Sequence, residues 1–193
     1  MRIPNDAHLA HPWRIHELTQ GFRLEDVWEL PGTGAPDGFP ALVHAVAAMD
    51  PGRSPSQAVR LLFAVRSRLG DLLHLDDVAD GTVPTLRDRF PADLRAAPRG
   101  PTAEALPFTS LYLLDDEWAV EAVNRTVHGV LHLSWVPDGS GSYRGRLAVY
   151  VRPNGLLGSA YMALIKPFRH LVVYPSMLRQ LGRATSAPAG TPA

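Results

Sequence analysis

Between residues 108 and 152 the chain passes through four stretches rich in β-branched and aromatic residues, at 108–114, 118–123, 126–136 and 143–152, separated by short polar breaks. Residue types of this kind, bounded by turn signals, read as strands. Asp138 and Gly139, between the last two stretches, are a hairpin turn signal. Strands joined this closely pair antiparallel, and the sheet they make needs a cover for its apolar face. The segment that follows is suited to be that cover. After Asn154, Leu157, Tyr161, Leu164, Ile165, Phe168, Leu171 and Val172 fall at helical spacing, which predicts a long C-terminal helix kinked at Pro167 and Pro175 and stopped at Gly182.

Upstream, residues 22–30 read as a further strand whose one face carries Phe22, Leu24, Asp26, Trp28 and Leu30. Residues 40–47 read as a short helix ended by Asp50-Pro51-Gly52, and Ser54-Pro55-Ser56-Gln57 fits a capping box opening a second helix that runs to Leu73. Residues 76–107 show no sustained period and are punctuated by Pro84, Pro91, Pro98, Pro101 and Pro107, so they are expected to form a lid over one end of a cavity. Whether Asn124-Arg125 is a turn or lies mid-strand stays open, although one strand over 118–136 would be about 60 Å long, which favours a break. The fold class is therefore α+β: an antiparallel sheet, two short helices after the first strand, and a long terminal helix. Residues 1–12 are expected to be an N-terminal arm, 13–183 a single domain, and 184–193, made of Ala, Thr, Ser, Pro and Gly, a disordered tail.

Composition narrows the function classes. The 19 basic and 19 acidic residues among 193 cancel without forming runs, so nucleic acid is not an expected partner. With no cysteine there is neither a disulfide nor a catalytic thiol. No Gly-rich phosphate loop, His-Glu-x-x-His or Gly-x-Ser-x-Gly occurs, and no cofactor is expected. Nor is a metal: His128 and His132, four apart on a strand, lie about 13 Å apart, far beyond the reach of one shared ion. Residues 1–6 lead into no apolar run, and residues 155–181 are interrupted by Lys166, Arg169 and two prolines, so the expectation is a cytoplasmic protein without a transmembrane segment.

Four segments taken together, Phe22-Arg23-Leu24-Glu25-Asp26-Val27-Trp28, Pro84-Thr85-Leu86-Arg87-Asp88-Arg89, Asn124-Arg125-Thr126-Val127-His128-Gly129 and Lys166-Pro167-Phe168-Arg169-His170 followed by Tyr174-Pro175, resemble the bacterial family catalogued as domain of unknown function 2867. The resemblance runs from about Trp13 to Arg183. It implies a START-like (SRPBCC-type) helix-grip fold, in which a curved antiparallel sheet grips the C-terminal helix around a cavity. Domains of that kind bind lipids, polyketides and other apolar molecules, or act as cyclases and hydrolases.

The function expected is binding of a small apolar or amphipathic molecule in a cavity between the sheet and the C-terminal helix. Candidate ligand-binding residues are Asp26, Trp28, Asn124, His128, Tyr161 and Arg169, with Trp28 and Tyr161 as walls and Asp26 and Arg169 as polar anchors. Asp26 stands out because alternation puts its carboxylate on an apolar face beside Leu24 and Trp28; the bland alternative is a salt-bridged carboxylate at the rim. Alternation points His128 and His132 outward, to a solvated sheet face. Arg87, Asp88 and Arg89 suggest either an anion grip or an internal tie that pins the loop. Two rival functions remain: a cyclase, isomerase or hydrolase using Asp26 or His128 for proton transfer, and an interaction module without an open cavity.

Overall fold

The structure, a computed structural model, describes residues 1–50, 85–102, 108–124, 126–155, 178–179 and 182. The strands are β1 (Arg2–Ile3), β2 (Arg23–Glu29), β3 (Thr109–Leu113), β4 (Glu117–Val123), β5 (Val127–Pro137) and β6 (Tyr143–Pro153). They form one antiparallel sheet in the order β1-β2-β6-β5-β4-β3. Successive hairpins thus build the meander, and β2 joins the same antiparallel sheet, as expected, by pairing with β6. Strand β1 is an addition: Arg2 and Ile3 pair with Trp28 and Val27, in a strand too short to carry any period.

Among the described residues, four short helices accompany the sheet: α1 (Asp6–Leu9), α2 (Ile15–Leu18), α3 (Phe39–Ala47) and α4 (Ala92–Ala96). Helix α3 is the first of the two predicted after β2, with Pro40 in its first turn, where a missing N–H costs nothing. The helix predicted from Ser54, most of the C-terminal helix and the tail at 184–193 lie outside the described residues. Among the described residues no helix is long and apolar enough to cross a membrane.

The two faces of the sheet differ in chemistry. One, here the tryptophan face, presents Trp118, Val120, Leu133, Trp135 and Leu147 to Phe39, Leu42, Val43 and Ala47 around α3, with Trp28, Val149 and Val151 beside them. The other, the histidine face, is covered by Trp13, Ile15 and Leu18 from the N-terminal segment and by Leu86, Phe90 and Leu94. The described part of the expected lid, residues 85–102, is therefore in its first half a piece of core cover on the face opposite Trp28. Arg87 secures it by donating to the Leu111 carbonyl and stacking over Phe90, not through Asp88.

A β-bulge corrects the reading of β2. Leu24 lies opposite Tyr150 but Asp26 opposite Val149, so β2 spends one extra residue, Glu25, on the same length of ladder. From Asp26 onward every side chain changes side. Asp26 shares the tryptophan face with Trp28 as alternation requires, while Leu24 is on the histidine face.

Candidate functional site

Glu117 and Glu121 are four apart on β4, so both carboxylates emerge from one face, and His128 and His132 repeat that spacing on β5. The β4–β5 register sets Glu117 opposite Ser134 and Glu121 opposite Val130. Each carboxylate leans two residues toward the start of β5. There His132 Nε2 donates to Glu117 Oε2 at 2.9 Å and His128 Nε2 to Glu121 Oε2 at 2.8 Å. Both histidines are 0% exposed, which overturns the expectation that they face solvent. Alternation treats His as an outward residue, but an imidazole hydrogen-bonded to a carboxylate can be buried. The cover comes from residues 1–20 and 85–97, whose buried side chains no strand period announces.

Each carboxylate has further donors. Glu117 accepts from the Arg14 N–H at 3.0 Å and the Tyr112 hydroxyl at 3.0 Å; Glu121 accepts from the Leu86 N–H at 3.0 Å and from the Thr85 hydroxyl. Burial pushes both carboxyls up, but the bonds from His132, Arg14 and Tyr112, and from His128, Thr85 and Leu86, outweigh it and hold both below the ordinary range. Ionised carboxylates only accept, so each Nε2 is the donor. Burial first, and the charge of Glu117 second, push the Tyr112 and Tyr150 phenols up, so both are neutral.

Around His128 distant parts of the chain meet. The Phe22 ring lies edge-on to it at 4.9 Å, and Arg152 sits over Phe22 at 5.1 Å. Glu121 ties His128 to Thr85 and Leu86. Phe22, Thr85, Leu86 and His128, from three of the segments that carry the family resemblance, therefore meet here. A carboxylate-oriented imidazole is half of a general base, the other half being a group at Nδ1 from which to take a proton. His128 Nδ1 is buried and has no hydrogen-bond partner among the described residues. The pair's demonstrable work is to cross-link β4, β5 and the segment at 85–90.

The other candidates fall elsewhere. Asp26 has 1% of its side chain exposed and is met by Arg2 Nε at 3.2 Å, on the wall made by Trp28, Val149 and Val151. Asn124 makes the turn between β4 and β5: its Oδ1 accepts from the Thr126 N–H and hydroxyl and from the Val127 N–H at 2.8–2.9 Å. That settles the choice between turn and strand. Tyr161 and Arg169, with Lys166 and His170, lie outside the described residues. At the end of β2 a groove of about 330 Å³ runs between Met1, Glu29, Leu30, Pro31, Arg144 and Leu178. No group of three or more His, Asp or Glu side chains among the described residues is arranged to hold a metal ion.

The buried Glu–His pairs were within reach of the sequence. Two acids four apart, a turn at Asn124, and two histidines four apart are complementary across a hairpin, a signal that single-strand alternation overlooks. No curated protein and no solved structure matches the chain. A family model does match, over residues 18–176, and by that match the chain belongs to the family described as Protein of unknown function (DUF2867).

Proposed function

We propose that this protein is a binding module for a small apolar or amphipathic molecule, held against the tryptophan face in a START-like helix-grip arrangement. Asp26 carries the reading. A carboxylate taken out of water onto an apolar wall costs several kcal/mol unless charged and polar groups answer it, and this one sits among Trp28, Val149 and Val151 with Arg2 beside it. An apolar surface with one fixed charge is suited to orient the polar end of an amphipathic ligand. Leu178, in helical conformation, packs against that same cluster, which supports a C-terminal helix running over this face. In this proposal Trp28 and Tyr161 wall the cavity, and Asp26 and Arg169 anchor the polar end. His128, on the opposite face, and Asn124, engaged in its turn, are left out.

Native mass spectrometry of the protein purified from its own host tests the reading. A retained small molecule is expected on the wild type and lost or weakened in Asp26→Asn, which keeps the shape and removes the charge. A retained mass indifferent to Asp26→Asn, or only bare protein with a partner chain in its place, would reject it in favour of an interaction module.

A further inference from the structure

Where the N-terminal segment crosses the histidine face, polar atoms are buried without being paired. Nδ1 and Nε2 of His8, Nε2 of His16, Nδ1 of His132, Ser134 Oγ, Arg146 Nε and the Tyr150 hydroxyl oxygen have no hydrogen-bond partner among the described residues. They belong to one patch. The His8 ring lies 5.1 Å from His132, 5.5 Å from His16 and 5.9 Å from Tyr150, and Ser134 stands opposite Arg146 in the β5–β6 register. His132 is flanked by Ala119 on β4 and Ala148 on β6, and these small side chains leave room for the His8 and Trp13 rings to approach it. His8 itself is 0% exposed.

We propose that residues 5–18 are an acid-released cap, seated by neutral His8, which lifts when His8 takes up a proton and uncovers the polar patch of His132, Ser134, Arg146 and Tyr150. Apolar contacts of Trp13, Ile15 and Leu18 hold the cap down, with the Asn5 amide on the Leu24 carbonyl at 2.9 Å and the Arg14 N–H on Glu117. The unpaired polar atoms beneath work against it, because lifting returns them to water.

The charges around His8 set the sign. From its own segment it faces His11 and His16, from β5 His132, and from β6 Arg146 and Tyr150. The carboxylate bonded to His132, Glu117, is already shared with Tyr112 and Arg14, and no carboxylate pairs with His8 among the described residues. A proton on seated His8 would have no counter-ion. Burial first, then His132, His16 and Arg146, lower its pKa from 6.5 to about 2, and burial and His132 lower that of His16 as well. The seated form therefore binds the proton less tightly than the lifted form. Above the ordinary value nothing is lost; below it, the ratio of lifted to seated cap rises up to about tenfold per pH unit. Glu117 and Glu121, held below the carboxylate range, stay ionised through this window.

Hydrogen exchange of the full chain at pH 7.5 and 5.0, corrected for intrinsic rates, is the test. Protection over residues 5–18 is expected to fall about 30-fold from His8 alone, while β4 and β5 keep theirs. His8→Phe keeps a ring and removes the titrating nitrogens, so its cap should lose far less protection at pH 5.0, only the part that His16 contributes. A change under threefold in the wild type, an equal loss across β4 and β5, or an unaltered pH dependence in His8→Phe would each overturn the proposal. The wild-type comparison decides by itself if the variant does not fold.

Discussion

Replacing Glu117 with Gln and with Ala measures what one buried carboxylate contributes. In the wild type Oε2 accepts from His132 and Tyr112 and Oε1 from the Arg14 N–H, at 2.9–3.0 Å. Gln keeps the shape but has one accepting oxygen. With that oxygen toward His132 and Tyr112, its NH₂ faces the Arg14 N–H, donor against donor; flipped, it serves Arg14 and forces His132 into the other tautomer. Either way the charge assistance is gone, at roughly 1 kcal/mol per bond, and the expected cost is about 2–3 kcal/mol. Ala leaves three buried donors unanswered at about 1–3 kcal/mol each, and the expected cost rises to about 4–6 kcal/mol, close to the whole stability of many domains. Urea unfolding reads both: with a slope of about 2 kcal/mol per molar, Gln moves the midpoint down by about 1–1.5 M. The folded pKa of Glu117 lies below its unfolded value of 4.5, so its contribution is whole above pH 4.5 and is lost as pH falls through the folded value. The gap between wild type and Gln should therefore narrow below pH 4.5. A Gln variant within about 0.5 kcal/mol of wild type at pH 7 would refute the idea that the ionised carboxylate organises this face.

Substitutions at two further positions probe the frame around the site. Gly100 has φ +81°, and a Cβ there would stand 2.9 Å from Trp118 Nε1, the atom that donates to Ser110; Gly100→Ala is expected to cost about 2–4 kcal/mol by thermal unfolding. Asn124→Ala removes the acceptor for three local donors and should cost about 1–2 kcal/mol, whereas Asn124→Asp, which keeps the oxygen, should cost well under half of that.

What could be read before the structure follows from which interactions leave a periodic trace. Strands β3 to β6 are rich in β-branched and aromatic residues and are bounded by turn signals, so the meander and its antiparallel pairing were legible. The bulge at Glu25 was not, since an extra residue in a ladder is decided by the partner strand, and it moved Leu24 away from Asp26 without altering the local pattern. His128 and His132 were assigned to solvent because alternation grades residues one strand at a time, whereas their burial depends on Glu117 and Glu121 across the hairpin. The covers of the histidine face are short turns, α1, α2 and the stretch at 86–96, in which no single element is long enough to show an apolar stripe. Asp26 was legible as a buried acid because alternation set it beside Trp28, a placement that the bulge leaves intact although Leu24 goes to the other face.

The repeated diagonal between β4 and β5 has a consequence for how the hairpin finds its alignment. A slip of two residues would keep every apolar side chain on its proper side, so burial of hydrocarbon alone scarcely distinguishes the slipped ladder from the true one. Slipped so that Glu117 faces Val136, the acid meets only Val136 and Ser134, and His128 is left without a carboxylate while still being driven under cover. A slip of four in either direction re-forms a single pair and strands the other two groups. Only the slip that sets Glu117 across from His132 and Glu121 across from His128 keeps both acids answered, so these pairs act as a key against the other slips of the hairpin.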